Sequence, residues 1–213
     1  MRVVVCVEPW GLSDASRAAV ALAVRVFPRD AITALAATDS SATAALAEAQ
    51  ELGAFRTAQV MEESLESLDV GGLGKTLSQA LLSLQADLVL CGARSDDEGR
   101  GIVPAAIAHH WKAPYVPHVE ELAVSGGEAT VLVRSNGRKR KLAVPLPAVL
   151  TVGASLTVAP AIRPDAHPLS VEILRLGDAA QRTLNRSSDL GTLEKPKRKP
   201  VAASSASDLL RRW

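Results

Sequence analysis

A chain of 213 residues in which 47% are apolar is long enough to close one hydrophobic core and still carry an extension. Lys and Arg number 24 against 23 Asp and Glu, so the net charge of +1 supplies no basic field for displacing phosphate counterions, and aromatics at 3% are too few for a base-stacking platform. Nucleic-acid binding as the main task is excluded on both grounds, and the basic cluster Lys195–Lys199 reads as a solvated linker.

The first β-rich run is Arg2–Val7, entered directly from the N-terminus without the charged-then-apolar pattern of a signal peptide. Ala19, Leu22, Ala23 and Val26 then recur at i, i+3, i+4 and i+7, as one face of a helix does. Ile32–Ala37 predicts a second strand. Ser40 or Ser41 can cap the helix that follows, in which Ala42, Ala45, Leu46 and Ala49 share a face and which Gly53 can end. Thr57–Val60 is a weaker strand, and Leu77, Ala80, Leu81 and Leu84 mark a third helix. Ala86–Leu90 with Cys91 is the strongest strand signal, followed by a helix from about Gly101 to Trp111.

Strands alternating with helices of this length need crossover connections, so the sheet is expected to be mostly parallel and doubly wound. Beyond Pro114 the pattern changes. Val119–Val124, Ala129–Arg134 and Lys139–Val144 alternate more strictly and are separated by Gly126-Gly127 and by the hairpin pair Asn136-Gly137, which predicts an antiparallel meander. A last buried strand is expected at Ala148–Gly153. From Asp178 onward Ser, Ala, Pro and Lys dominate without core periodicity, the signature of a tail, in which only Leu209, Leu210 and Trp213 offer an anchor.

The cysteines, Cys6 and Cys91, lie in apolar strand runs, where Cys behaves as a small hydrophobe, so no disulfide framework is indicated. No apolar stretch reaches the ~20 residues that span a bilayer. Residence in the cytoplasm, without membrane insertion, is the expectation.

Several motifs bear on chemistry. Gly71-Gly72-Leu73-Gly74-Lys75-Thr76 imitates a phosphate-binding loop, but the first glycine of that motif falls at Asp69 and no strand precedes it. The segment reads instead as a glycine-rich entry to the third helix. His109, His110, His118 and His167 lack ligand spacing, so no metal site is expected. No nucleophile elbow or acid–base–nucleophile set is present, which leaves no candidate catalytic residue. The loop Ala93–Gly101 is different, because it leaves the strongest strand and opens a helix. Backbone N–H groups and Arg100 are available there to a phosphate, and acidic side chains to ribose hydroxyls. An ordinary charged surface loop is the other reading, and the residues alone leave both open.

Four segments, taken in order, resemble the β subunits of electron-transfer flavoproteins. Val3-Val4-Val5-Cys6-Val7 resembles the family's opening strand, and Ala31–Val60 its second strand, helix and third strand, including Leu52-Gly53-Ala54-x-Arg56. Ala86–Gly92 is similar to the fourth strand, and Leu146-Pro147-Ala148-Val149-Leu150-Thr151 to the family's Leu-Pro-Ala-Val-Val-Thr segment. The resemblance spans about residues 2–156. It implies a sheet of adenine-nucleotide-binding type in residues 1–156, with residues 157–213 as a C-terminal extension and partner-binding tail.

It further implies a heterodimer in which the α subunit holds the working FAD, while the β subunit buries AMP, or a second FAD in bifurcating members. A flavin dehydrogenase donates electrons and a quinone-reductase-type acceptor removes them, the β chain performing no chemistry of its own. Carried over by position, the cofactor-binding residues would be Cys6, Glu8, Ser13 (Asn in the family), Ala37 and the loop residues Asp97, Glu98, Gly99, Arg100 and Gly101. The family's Asn-Gln-Thr-Gly reads Glu98-Gly99-Arg100-Gly101 here, Glu8 stands at its lysine after the first strand, and Ala159–Leu176 replaces its partner-recognition loop. The other reading of the sheet, a stand-alone adenine-nucleotide-binding protein of the universal-stress type, normally needs a late glycine-rich phosphate loop, and the sequence has none. For the tail, a final turn at Asp208–Trp213 docking on a partner and an unstructured end both stay open.

Overall fold

The computed structural model describes residues 1–62, 65–94, 101–135, 137–154 and 169–176. Their elements are β1 (Val3–Cys6), α1 (Asp14–Val26), β2 (Ile32–Ala37), α2 (Thr43–Glu51), β3 (Arg56–Val60), α3 (Val70–Ser83), β4 (Leu88–Gly92) and α4 (Val103–Trp111), then β5 (Tyr115–Ser125), β6 (Glu128–Ser135), β7 (Arg138–Pro145), β8 (Ala148–Val152) and β9 (Val171–Leu174). The strands form one sheet in the order β7-β6-β5-β8-β4-β1-β2-β3-β9. Pairing is parallel from β5 through β8, β4, β1, β2 and β3 to β9, and antiparallel only for β5–β6 and β6–β7. The expected parallel sheet with a meander is therefore present.

Burial on both faces explains why the central strands read as continuous apolar runs rather than alternating ones. Val3, Val5, Ile32, Ala34, Leu88 and Leu90 point to one face, where Ala19 and Leu22 of α1 and Leu46 of α2 cover them. Val4, Leu35, Ala58, Val89 and Val149 point to the other, against Leu77 and Leu81 of α3 and Ile107 of α4. Two helices on each face make the sheet doubly wound, and each fully buried Val or Leu contributes about 1.5–3 kcal/mol. In the meander only one face is covered, and polar alternation returns. Ser125 pairs with Glu128 across Gly126-Gly127, and Ser135 pairs with Arg138, with Asn136 of the expected turn outside the described residues. The peptide bond preceding Pro147, at the entry to β8, is cis.

Three local details differ from expectation. The N-cap of α2 is Ala42, and Ser41 contributes one position earlier, its Oγ accepting the Thr43 N–H at 3.3 Å. The run Gly71–Gly74 lies inside α3 rather than before it. That helix starts at Val70 with Asp69 as N-cap, whose carboxylate accepts the Gly72 N–H at 2.7 Å. β9 was not anticipated. It pairs in parallel with β3, Thr57 Oγ1 donates to the Ser170 carbonyl at 2.9 Å, and the Leu176 N–H donates to the Glu62 carboxylate. The loop at 95–100, His167 and the tail from 178 with Leu209, Leu210 and Trp213 lie outside the described residues.

Candidate functional site

Order along the sheet reverses at β1, which lies between β4 and β2, and the adjoining crevice at the carboxyl ends of these strands is where a doubly wound sheet receives ligands. A cleft of about 210 Å³ occupies this position. Its floor is made by Cys6 and Val7 at the end of β1, Leu35 and Ala37 of β2, and Cys91 and Gly92 of β4. Leu73 and Leu77 of α3 form one wall. Val103, Pro104 and Ile107 of α4 line the cleft beside them.

The loop from β1 to α1 forms the rim, with Glu8, Pro9 and Trp10 facing the cleft. Two carboxylates hold this loop in shape. Glu8 folds back to accept from Ser13 Oγ at 2.9 Å and from the Ser13 N–H at 3.5 Å. Glu48 of α2 accepts the Leu12 N–H at 3.4 Å and is itself held by Arg17 Nε at 2.6 Å. Ser13 is buried and is the N-cap of α1, accepting the Ser16 N–H at 3.1 Å. Trp10 emerges 63% exposed on the rim, a large apolar ring over an apolar opening.

Two helices begin at the cleft, α3 with Val70 and α4 with Val103. Asp69 satisfies the first turn of α3, whereas the N-cap of α4, Ile102, makes no side-chain capping bond. The first-turn N–H groups of α4 carry the partial positive charge of a helix start and can receive an anion. Gly101 delivers the chain into this helix with φ +59°, and a Cβ there would stand 2.3 Å from the Ala93 carbonyl oxygen. Glu8 is the one charged side chain among the described lining residues, so the cleft suits an apolar ring in its depth and a negatively charged group at the start of α4.

Cys6, Glu8, Ala37 and Gly101, all expected from the sequence, line this one cleft. Ser13 does not line it and acts behind it, fixing Glu8 and starting α1. Asp97, Glu98, Gly99 and Arg100 lie outside the described residues. Sequence reasoning missed Trp10 and the apolar walls from Val70, Leu73 and Ile107. The position of Trp10 directly after the first strand was a usable signal, since that is where a parallel sheet presents its ligand loops. The wall residues carried none, because an apolar residue facing a cleft and one facing a core look alike in sequence.

Comparison with known proteins supplies the context for this geometry. A family model described as the electron transfer flavoprotein domain matches residues 2–174. The electron transfer flavoprotein subunit beta of Mycobacterium leprae (strain TN) is 30% identical over 129 residues, 60% of this chain and 48% of that protein. Its namesake in Mycobacterium tuberculosis (strain ATCC 25618 / H37Rv) is 29% identical over 126 residues, 59% of this chain and 47% of that one. That of Syntrophomonas wolfei subsp. wolfei (strain DSM 2245B / Goettingen) is 28% identical over 120 residues, 56% and 47% respectively. The chain thus matches about half the length of these curated relatives.

Proposed function

Because this chain belongs to the electron transfer flavoprotein family, we propose that it is the β subunit of a heterodimer that carries electrons from a flavin dehydrogenase to a quinone-reductase-type acceptor. The observation that carries this reading is the cleft at the crevice between β1 and β4, inside the segment matched by the family. FAD, held mainly by the α subunit, supplies the redox chemistry, and this chain contributes position and electrostatics rather than acid–base or nucleophilic groups.

The residues present fit an adenine nucleotide, AMP or the adenylate half of a second FAD. The apolar walls between α3 and α4 accept the base, and Trp10 covers it from the rim. The start of α4 would hold the phosphate, and the candidate partners carried over from the sequence are Arg100 for its charge and Glu8, Asp97 and Glu98 for the ribose hydroxyls. Gly101 lets the backbone approach closely, Cys6 and Ala37 form the floor, and Ser13 orients Glu8. The nucleotide-binding body is assigned to residues 1–156, joined at its edge by β9, and the partner-directed extension to the remainder of 157–213, and the pair works in the cytoplasm.

Coexpression with an electron transfer flavoprotein α subunit from the same genome tests this directly. A copurifying, yellow complex is expected, and mass spectrometry of its acid extract should release FAD together with either AMP or a second FAD equivalent. Failure of the two chains to associate would sink the heterodimer reading. Release of a single FAD and no other nucleotide would sink the assignment of the cleft while leaving the heterodimer intact.

A further inference from the structure

The chain contains two cysteines in 213 residues, 85 positions apart in sequence, and the fold sets them side by side. Cys6 ends β1 and Cys91 lies in β4. In the parallel pairing of those strands they are direct partners, so their Cα atoms stand at the ~4.7–4.9 Å strand spacing, inside the ~4.4–6.8 Å window that a disulfide spans. Both side chains leave the same face of the sheet and both line the cleft. Their exposure differs. Cys91 is 4% exposed, whereas Cys6 is half-buried and open to the cleft.

We propose that Cys6 and Cys91 form a peroxide-reactive dithiol at the floor of the cleft, Cys6 being the thiol that meets the oxidant and Cys91 the one that resolves it into an intramolecular disulfide. In the first step the Cys6 sulfur attacks one oxygen of a hydroperoxide and the O–O bond breaks. The oxygen attacked stays on sulfur as sulfenic acid, and the other leaves as water or alcohol with the thiol proton. In the second step the Cys91 sulfur attacks the Cys6 sulfur, the S–O bond breaks, and the hydroxyl departs as water with the Cys91 proton. Two thiols are oxidised by two electrons and one peroxide is reduced.

The division of roles follows from the surroundings. A hydrogen bond with Cys6, then burial, then the nearby charges of Cys6 and Glu8 push the Cys91 thiol up, so it is kept as S–H until its neighbour has reacted. Glu8, a cleft-lining carboxylate fixed by Ser13, is the nearby acid acting on Cys91. A disulfide here would join the two strands that flank the crevice, on the floor against which a cleft ligand would rest. Strand register and exposure set this pair in place whatever ligand the cleft takes.

The test uses the full-length chain, reduced, freed of reductant and exposed to hydrogen peroxide. The expected product is a monomer lighter by two hydrogens, with a Cys6–Cys91 linked peptide after digestion and both thiols recovered on reduction. In Cys91→Ser the reaction should stop at a sulfenic acid on Cys6, trapped by dimedone, and in Cys6→Ser oxidation of Cys91 should be lost. The proposal is overturned if both thiols of the unsubstituted chain remain open to alkylation after peroxide treatment. It is equally overturned if the product is a disulfide between two chains, or if Cys6 passes to sulfinic acid without capturing Cys91.

Discussion

Gly74 and Thr76 show how single positions in α3 serve packing rather than phosphate chemistry. A Cβ on Gly74 would stand 2.5 Å from the Cβ of Ala106 and 2.8 Å from its carbonyl carbon, so the missing side chain is what lets α3 and α4 approach. Alanine would gain about 1 kcal/mol in helix propensity, but the overlap is with backbone, which cannot rotate away. Gly74→Ala is therefore expected to lose about 1–3 kcal/mol of stability in urea denaturation. Ala106→Gly in the same chain should restore only part of it, since two of the three close atoms are main chain. Thr76 is fully buried, and its Oγ1 has no hydrogen-bond partner among the described residues. Replacing it by the isosteric valine removes a desolvated hydroxyl, so Thr76→Val should raise stability by about 1 kcal/mol. A loss instead would reveal a bond to this hydroxyl that the described residues do not contain. Glycine, lysine and threonine here only imitate a phosphate loop, since Asp69 stands at its first glycine, and the start of α3 at Val70 shows the glycines to be helical rather than a loop.

At the scale of elements, β7 and β9 close the two edges of the sheet and differ in character. β7 carries Arg138, Lys139, Arg140 and Lys141 in succession, all exposed, so positive charge covers both faces of this edge. Such a row opposes strand addition by another copy, since like charges would be brought to strand spacing. Exchanging all four for threonine keeps β propensity and removes the repulsion. Light scattering should then show an average mass that rises with concentration more steeply than in the unsubstituted chain. An unchanged profile would mean that the charges do not guard the edge. The strands and helices from β1 to β8 were legible in the sequence, because period-2 and 3.6-residue patterns persist over whole elements. The four-residue β9 was not, being too short and too far from its partner to show a period, and its pairing with β3 rests on contacts such as Thr57 to Ser170.

For the whole molecule, the balance lies between a sheet that buries itself and an extension whose composition cannot. Residues 178–213 lack the apolar periodicity to form a core, and ordering them costs conformational entropy that a partner surface would have to offset. In the proposed heterodimer, deletion of 178–213 is expected to weaken association with the α subunit, read as a higher dissociation constant in titration calorimetry, while the circular dichroism of the remaining chain is retained. Docking of Leu209, Leu210 and Trp213 would contribute about 1.5–3 kcal/mol each before those ordering costs. Equal affinity of the truncated and complete chains would show that the tail is passive.

The sequence by itself determined the fold class, the order of elements from β1 to β8 and the family, since all three are written in local periodicity and in short segments kept in order. Four of the expected residues, Cys6, Glu8, Ala37 and Gly101, line the cleft, and their positions at strand ends and a helix entry can be located along the chain. Tertiary structure alone decided that Ser13 supports the cleft from behind, that Trp10 and the faces of α3 and α4 complete it, and that Cys6 lies beside Cys91. The physical reason is that register between strands 85 residues apart is set by how both faces of the sheet are packed, and no local pattern in either strand encodes its partner.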